Sequence, residues 1–184
     1  GHVVALHPST NDRGLAMTSS FTSMVVAGLG LAYLDRVEEY LGLVDRAAEA
    51  GEHVLEAAPG ITERLAKKRP GRACFLGSGA LEGAAVECHL KLQELTDGQV
   101  ICFHDSFLGL RHGPRAAIHD DTLVVYFLSS DPYVSQYEMD LLTGNREQKT
   151  GLTHLVVLDR ADDKMRGLAD EVVECDPAGK LALP

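Results

Sequence analysis

The 184-residue sequence predicts an α/β fold: a three-layer αβα sandwich on a mainly parallel sheet. Short apolar runs rich in β-branched residues alternate with segments of helical period. One run, residues 123–128, is apolar throughout, as expected for a parallel strand buried on both faces. The composition, 45% hydrophobic and 24% charged, is that of an ordinary globular protein.

Strands and helices follow one another in a regular order along the chain. Strands are predicted at residues 3–6, 73–76, 100–103, 122–128, 155–158 and 172–174. Helical patterns cover residues 21–40, with Ser19 or Ser20 as N-cap, and residues 45–56 and 61–68. Residues 1–70 are therefore predicted to be one strand plus a helical layer, and residues 71–184 a more complete α/β unit.

Charge and composition exclude several classes of partner. The net charge of −10 argues against nucleic acid and anionic membranes, and no run approaches the roughly 20 apolar residues of a spanning helix. Four cysteines without a C-x-x-C pair indicate free thiols in a reducing cytoplasm. The spacing of the histidines and aspartates between His104 and Asp121 matches no common zinc motif, so we expect no metal.

Gly77, Ser78 and Gly79 connect a predicted strand to a predicted helix. Glycines allow close backbone approach, and a helix N-terminus offers free N–H groups, so this loop could bind an anion or a sugar. A tight turn without a ligand explains the same residues. The next glycine comes one place too late for the dinucleotide-binding motif G-x-G-x-x-G, which disfavours a nucleotide binder.

The helix after the loop has two faces. Leu81, Ala85, Cys88, Leu92 and Leu95 form an apolar stripe, and Glu87, Lys91 and Glu94 share another face. These charges could be ordinary ion pairs on a solvated surface, which the spacing alone favours, or a carboxylate base beside a cation. His112, between Arg111 and Gly113-Pro114, is either part of a rigid turn or a general acid–base group.

Taken together, these motifs resemble the sugar isomerase (SIS) domain, and more narrowly the tagatose-6-phosphate ketose/aldose isomerase-like proteins. The resemblance rests on an ordered set: the Gly77–Gly79 loop, the Glu87–Glu94 helix, the turn that begins at His112 and the segment 127–133. The segment around Ala16, Met17, Thr18 and Ser19 is similar to the sequence that links the family's two SIS domains.

The resemblance implies a five-stranded parallel sheet that binds a phosphorylated sugar or amino sugar. It implies that Glu94 moves a proton between sugar carbons, that Lys91 lies beside it, and that Glu87, in the same motif, binds the substrate. It further implies that His112 assists ring opening and reaches a neighbouring subunit's site, and that Ala16–Ser19 contacts the sugar. The chemistry requires no cofactor or metal.

On this basis, residues 1–70 are expected to be the end of a preceding SIS domain plus linking helices. Residues 71–184 are expected to be a second SIS domain that is incomplete at its C-terminus. The family's phosphate-binding Ser/Thr-rich loops belong to the first domain, so we expect this segment alone to have weak or no activity. Apolar residues in 24–34 predict a homodimer or higher oligomer.

The leading hypothesis is a cytoplasmic aldose/ketose sugar-phosphate isomerase, or a deaminase/isomerase of amino sugar phosphates. The alternative is a non-catalytic phosphosugar-binding module of the kind found in regulators. A proton-transfer glutamate and a ring-opening histidine favour the enzyme, because a sensor needs neither.

Overall fold

A computed structural model describes residues 2–176 and Gly179. The chain divides into two compact units between Glu49 and Ala50. The expected division at residue 70 into two SIS portions remains a prediction. Residues 177, 178 and 180–184 of the expected second portion lie outside the described residues.

The first unit is helical and has almost no core. It contains helix α1 (Ser19–Gly30), a 3-10 turn (Leu31–Tyr33) and the beginning of helix α2 (Val37–Lys67). Among the described residues up to Glu49, Ala16 is buried and every other residue is half-buried or exposed. The strand predicted at residues 3–6 is wrong: these residues form no strand, and Val3 is 91% exposed.

The predicted helix boundaries in this region are wrong. The single helix expected at 21–40 is interrupted after Gly30, and the patterns at 45–56 and 61–68 belong to one 31-residue helix, α2. Pro59 lies inside α2. Because proline lacks an N–H, the carbonyl of Leu55 loses its helical donor. Leu55 is 73% exposed, so water can replace that donor and the helix continues.

The second unit contains a five-stranded, all-parallel sheet. Its strands are β1 (Arg72–Leu76), β2 (Ile101–Asp105), β3 (Thr122–Phe127), β4 (Thr153–Leu158) and β5 (Glu171–Glu174), in the order β2-β1-β3-β4-β5. Each pair is parallel. These strands confirm the other five sequence predictions to within two residues, and they confirm the parallel sheet.

Helices cover both faces of the sheet, which confirms the predicted αβα sandwich. One face packs against α4 (Phe107–His112), α5 (Pro132–Glu147) and α6 (Asp163–Leu168). The other packs against α3 (Ala80–Leu95) and the end of α2. The strand period of two places Cys74 and Leu76 on the first face, and Ala73 and Phe75 on the second.

Side chains at the strand ends set where the helices begin. Ser106 Oγ accepts a hydrogen bond from Gly109 N at 3.0 Å at the start of α4, and Asp131 Oδ1 accepts one from Tyr133 N at 2.8 Å at the start of α5. In the sheet, β2 lies on one side of β1 and β3 lies on the other, so the strand order reverses at β1. Such a reversal leaves a crevice between the carboxyl ends of β1 and β3.

None of the described helices is long and apolar enough to cross a membrane. Cys74, Cys88, Cys102 and Cys175 are free thiols, as predicted. Burial raises the pKa of the Cys74 thiol, which keeps it protonated and unreactive.

Candidate active site

The glycine loop follows β1 at the carboxyl edge of the sheet. A Cβ on Gly77 would lie 2.2 Å from the Leu81 carbonyl oxygen, and Gly79 has a φ of +57°. Both positions therefore require glycine for the turn itself. The tight-turn interpretation is sufficient, and a contact between sugar and Gly77, Ser78 or Gly79 remains a prediction.

Glu87, Lys91 and Glu94 form what we call the carboxylate–lysine face of α3. Lys91 Nζ donates a hydrogen bond to Glu94 Oε2 at 2.9 Å and lies 3.3 Å from Glu87 Oε1. The side chains of Glu87 and Lys91 are 21% and 20% exposed, and that of Glu94 is 35% exposed. The one-face arrangement predicted from spacing is thus present, with the ammonium between two carboxylates.

The charges on this face stabilise one another. The hydrogen bond to Glu94, followed by contact with Glu87, raises the pKa of Lys91, so the ammonium stays charged near neutral pH. Glu94, the most exposed of the three, is the carboxylate that could accept a proton from a substrate carbon. The arrangement can therefore supply a base and, next to it, a fixed cation.

The glycine loop and Glu94 are not brought together within the chain. Gly79 and Glu94 are 15 residues apart along α3, about 22 Å at 1.5 Å per residue. The apolar stripe on the same helix is also shorter than predicted. Ala85 is buried, with Cys88 and Leu92 packed beside it, but Leu95 is 70% exposed because it ends the helix.

His112 is exposed at the end of α4. The arginines on either side of its turn are both anchored to α5: Arg111 Nη2 donates to the Tyr137 carbonyl at 3.0 Å, and Arg115 Nε donates to Asn145 Oδ1 at 3.0 Å. The turn is therefore fixed while the imidazole stays free to contact another molecule. Because α4 and α3 cover opposite faces of the sheet, the structure does not bring His112 to Glu94.

The segment Ala16–Ser19 leads into α1 in the first unit. Thr18, rather than the predicted Ser19 or Ser20, is the N-cap, and its side chain makes no capping bond. The cap comes from Asp12, whose Oδ1 accepts hydrogen bonds from Ser19 N at 2.7 Å and Thr18 Oγ1 at 2.8 Å. Hydrogen bonds from Ser20 and Thr18 hold the pKa of Asp12 well below its usual range. Met17 is 44% exposed.

Sequence reasoning missed a buried cluster that we call the tyrosine–histidine network. Asn145 Nδ2 donates to Tyr126 Oη at 2.9 Å, and Tyr126 Oη pairs with His154 Nδ1 at 2.9 Å. Asn145 also accepts the hydrogen bond from Arg115, so the network reaches the His112 turn. The signal that could have revealed this network was the presence of polar residues inside one helix and two otherwise apolar strands.

Among the described residues, no group of three or more His, Cys, Asp or Glu could hold a metal.

Comparisons with known proteins agree with the motifs. No family model matches the chain. It is 37% identical to the D-galactosamine-6-phosphate deaminase AgaS of Escherichia coli, over 84% of this chain and 40% of that protein. It is also 37% identical to the protein of the same name from a Shewanella species, over 90% of this chain and 41% of that protein.

Solved structures show the same similarity. The tagatose-6-phosphate ketose/aldose isomerase of Escherichia coli superposes with a TM-score of 0.74 at 32% identity, covering 92% of this chain and 45% of that one. The chain thus spans about two fifths of the length of the curated relatives it matches and less than half of that structure.

Proposed function

Because this chain belongs to the tagatose-6-phosphate ketose/aldose isomerase-like family of sugar isomerase (SIS) domain proteins, we propose that it acts on a phosphorylated sugar. The proposed reaction is aldose–ketose isomerisation by proton transfer between C1 and C2. On a 2-amino sugar phosphate the same transfer produces an imine at C2, and water then releases ammonia to leave the ketose. The deaminase named among the relatives supports this second substrate.

The observation that carries the proposal is the carboxylate–lysine face. A carboxylate can remove the proton from one carbon and return it to the next, provided that the developing negative charge is stabilised. We assign the proton transfer to Glu94 and the stabilising charge to Lys91. Glu87, on the other side of the ammonium, holds Lys91 in place by its 3.3 Å ion pair.

We assign ring opening to His112, as the resemblance implies. Its exposure and its place on the opposite face from Glu94 favour action in the site of a second copy. The apolar surface of the first unit supports a homo-oligomer: Met24, Leu29, Leu31 and Leu34 are 46–72% exposed. Free thiols and the proposed metabolic substrate favour the cytoplasm.

The test is the turnover of Glu94→Gln in the natural protein that carries these residues, with fructose 6-phosphate and galactosamine 6-phosphate as substrates. We expect a loss of about 10²–10⁴-fold, the usual range for a general base, with little change in substrate affinity. The control is Glu82→Gln, an exposed glutamate in the first turn of the same helix. Full activity of Glu94→Gln would contradict the assignment, and substrate binding without turnover in the unmodified protein would favour a binding module.

Light scattering and an assay of the 184-residue chain test the assembly. We expect a dimer or larger species with weak or no turnover. A stable monomer with full activity would contradict both expectations.

A further inference from the structure

His112 lies in a stretch of chain that apolar packing does not hold. Leu110 in α4 and Ile118 before β3 are buried, at 0% and 6% exposure. Between them, residues 111–117 are all half-buried or exposed. Gly113 directly follows His112, and glycine is the residue that restricts the backbone least. The core therefore fixes the two ends of this stretch, and the position of the imidazole between them depends on polar contacts.

Two arginines supply those contacts, and they differ in what they are bound to. Arg111 Nη2 donates to the main-chain carbonyl of Tyr137 at 3.0 Å, at an exposed position where water competes for the same oxygen. Arg115 Nε donates at 3.0 Å to the amide oxygen of Asn145, which is 0% exposed. A hydrogen bond from a charged donor is stronger than a neutral one, and it is stronger still where water is excluded. Arg115 is therefore the firmer of the two anchors.

The rest of the tyrosine–histidine network holds Asn145 in one orientation. Its amide nitrogen donates to Tyr126 Oη at 2.9 Å, and that hydroxyl pairs with His154 Nδ1 at 2.9 Å. Tyr126 and His154 stand on the neighbouring strands β3 and β4 and are at most 2% exposed. Because arginine can only donate, the amide oxygen is the atom that has to face Arg115. The anchor of the His112 turn is thus set by the central strands of the sheet.

Stability alone is a poor reason for an arginine at position 115. Nη2 of Arg115 is buried and has no hydrogen-bond partner among the described residues. Burying a charged group with an unpartnered donor costs free energy, and an apolar side chain of similar length would avoid that cost. What the guanidinium adds is geometry, because its donors lie in one rigid plane and fix the angle at which it meets Asn145.

We propose that Arg115 is a positioning residue for His112: through its bond to Asn145 it holds the imidazole at the place and angle from which it assists ring opening. This assignment rests on the proposed function, in which His112 opens the sugar ring. Proton transfer requires the two heavy atoms to approach within about 2.6–3.2 Å, so a small displacement of the turn lowers the rate. Arg115 does not touch the reacting atoms, and its effect on turnover should therefore not exceed that of His112 itself.

A double-mutant cycle separates positioning from a purely structural role. Turnover of galactosamine 6-phosphate, in its cyclic form and in freshly generated open-chain form, is measured in the natural protein that carries these residues. Arg115→Met should lower turnover of the cyclic form by roughly three- to tenfold, and that of the open-chain form less. The double variant Arg115→Met/His112→Ala should equal His112→Ala, because Arg115 has nothing to position once the imidazole is gone. Arg115→Lys, which keeps a charged donor, should recover part of the loss.

The matched control is Arg166→Met, since Arg166 on α6 is also bound to a single side chain, that of Glu174. It should leave both turnover values unchanged. Urea unfolding shows which variants are folded, and if Arg115→Met is not, the same cycle with Arg115→Lys decides the question.

Several results would overturn the proposal. Unchanged turnover in Arg115→Met would do so directly. Equal losses on the two substrate forms, or losses that add in the double variant, would show that Arg115 acts on the fold and not through His112. The proposed function fails separately: unchanged turnover in His112→Ala would show that the ring-opening role is wrong, and the positioning role would then be wrong as well.

Discussion

Two polar clusters in the second unit differ in both charge and burial. The carboxylate–lysine face carries three formal charges on side chains that are 20–35% exposed. The tyrosine–histidine network is built from Tyr126, Asn145 and His154, which are at most 2% exposed and neutral near pH 7. The comparison teaches that a polar cluster available for chemistry leaves groups facing solvent, whereas one used for stability satisfies its groups internally.

The largest effect that separates the clusters is expected for Lys91→Met. Removing the cation should lower turnover in the natural protein by about 10²–10³-fold, as loss of one stabilising donor does in other enzymes. Stability should fall by no more than about 1 kcal/mol, the upper value for an ion pair whose carboxylates stay partly in contact with water. Steady-state kinetics and urea unfolding measure the two quantities. Lys67→Met, at an ion pair on α2, is the control, and equal kinetics in both variants would remove Lys91 from the mechanism.

The network should respond in the opposite way. Asn145→Leu leaves Tyr126 Oη and Arg115 Nε without their buried partner, so we expect a loss of about 2–4 kcal/mol in the free energy of unfolding. Urea unfolding measures it. Gln136→Leu, at an exposed position of the same helix, should cost less than about 0.5 kcal/mol. Comparable losses in the two variants would show that the network adds nothing to stability.

Acid should weaken the network before it affects the carboxylates. Burial lowers the pKa of His154 to about 4, below its value of about 6.5 in an unfolded chain. Between these values the unfolded chain binds more protons, so stability falls as pH falls from about 6.5 to about 4 and then levels off for this group. The fall is roughly 3.5 kcal/mol, from about 2.5 pH units at about 1.4 kcal/mol per unit.

Thermal and urea unfolding across pH 4–7 measure this dependence. His154→Gln should show a shallower fall in the same window, since the titrating group is gone. An unchanged slope in that variant would assign the acid sensitivity to other groups, such as Asp170, whose pKa is lowered and which loses its contribution only at lower pH.

The smallest effect is expected at His112, whose turn is joined to the tyrosine–histidine network through Arg115. His112→Ala should reduce turnover by roughly tenfold on cyclic substrate and less on substrate already in the open-chain form, as general acid–base help at ring opening requires. Stopped-flow assays with freshly generated open-chain sugar measure the difference. His119→Ala, also exposed, is the control. An equal loss of turnover on the cyclic and the open-chain substrate would show that His112 only shapes the turn.

Local patterns were sufficient to predict the strands of the second unit, because a run of β-branched residues bounded by turn residues can be recognised without knowing its tertiary contacts. The same is true of the carboxylate–lysine face, whose members are three and four residues apart on one helix. The predicted strand at residues 3–6 failed because a strand needs a neighbour, and none of the described residues pairs with it. The predicted helix boundary near Pro59 was wrong, because the carbonyl of Leu55 loses its helical donor at an exposed position. Water can replace that donor there, so the helix continues through the proline.

The sequence by itself determined the αβα class, the parallel sheet, the positions where glycine is needed and the row of charges on α3. All of these follow from spacing within one element or from short-range sterics. The tertiary structure alone decided that His112 and Glu94 lie on opposite faces of the sheet. It also decided that Asn145 joins Tyr126 to Arg115. Such contacts depend on how distant segments pack together, which no local pattern encodes.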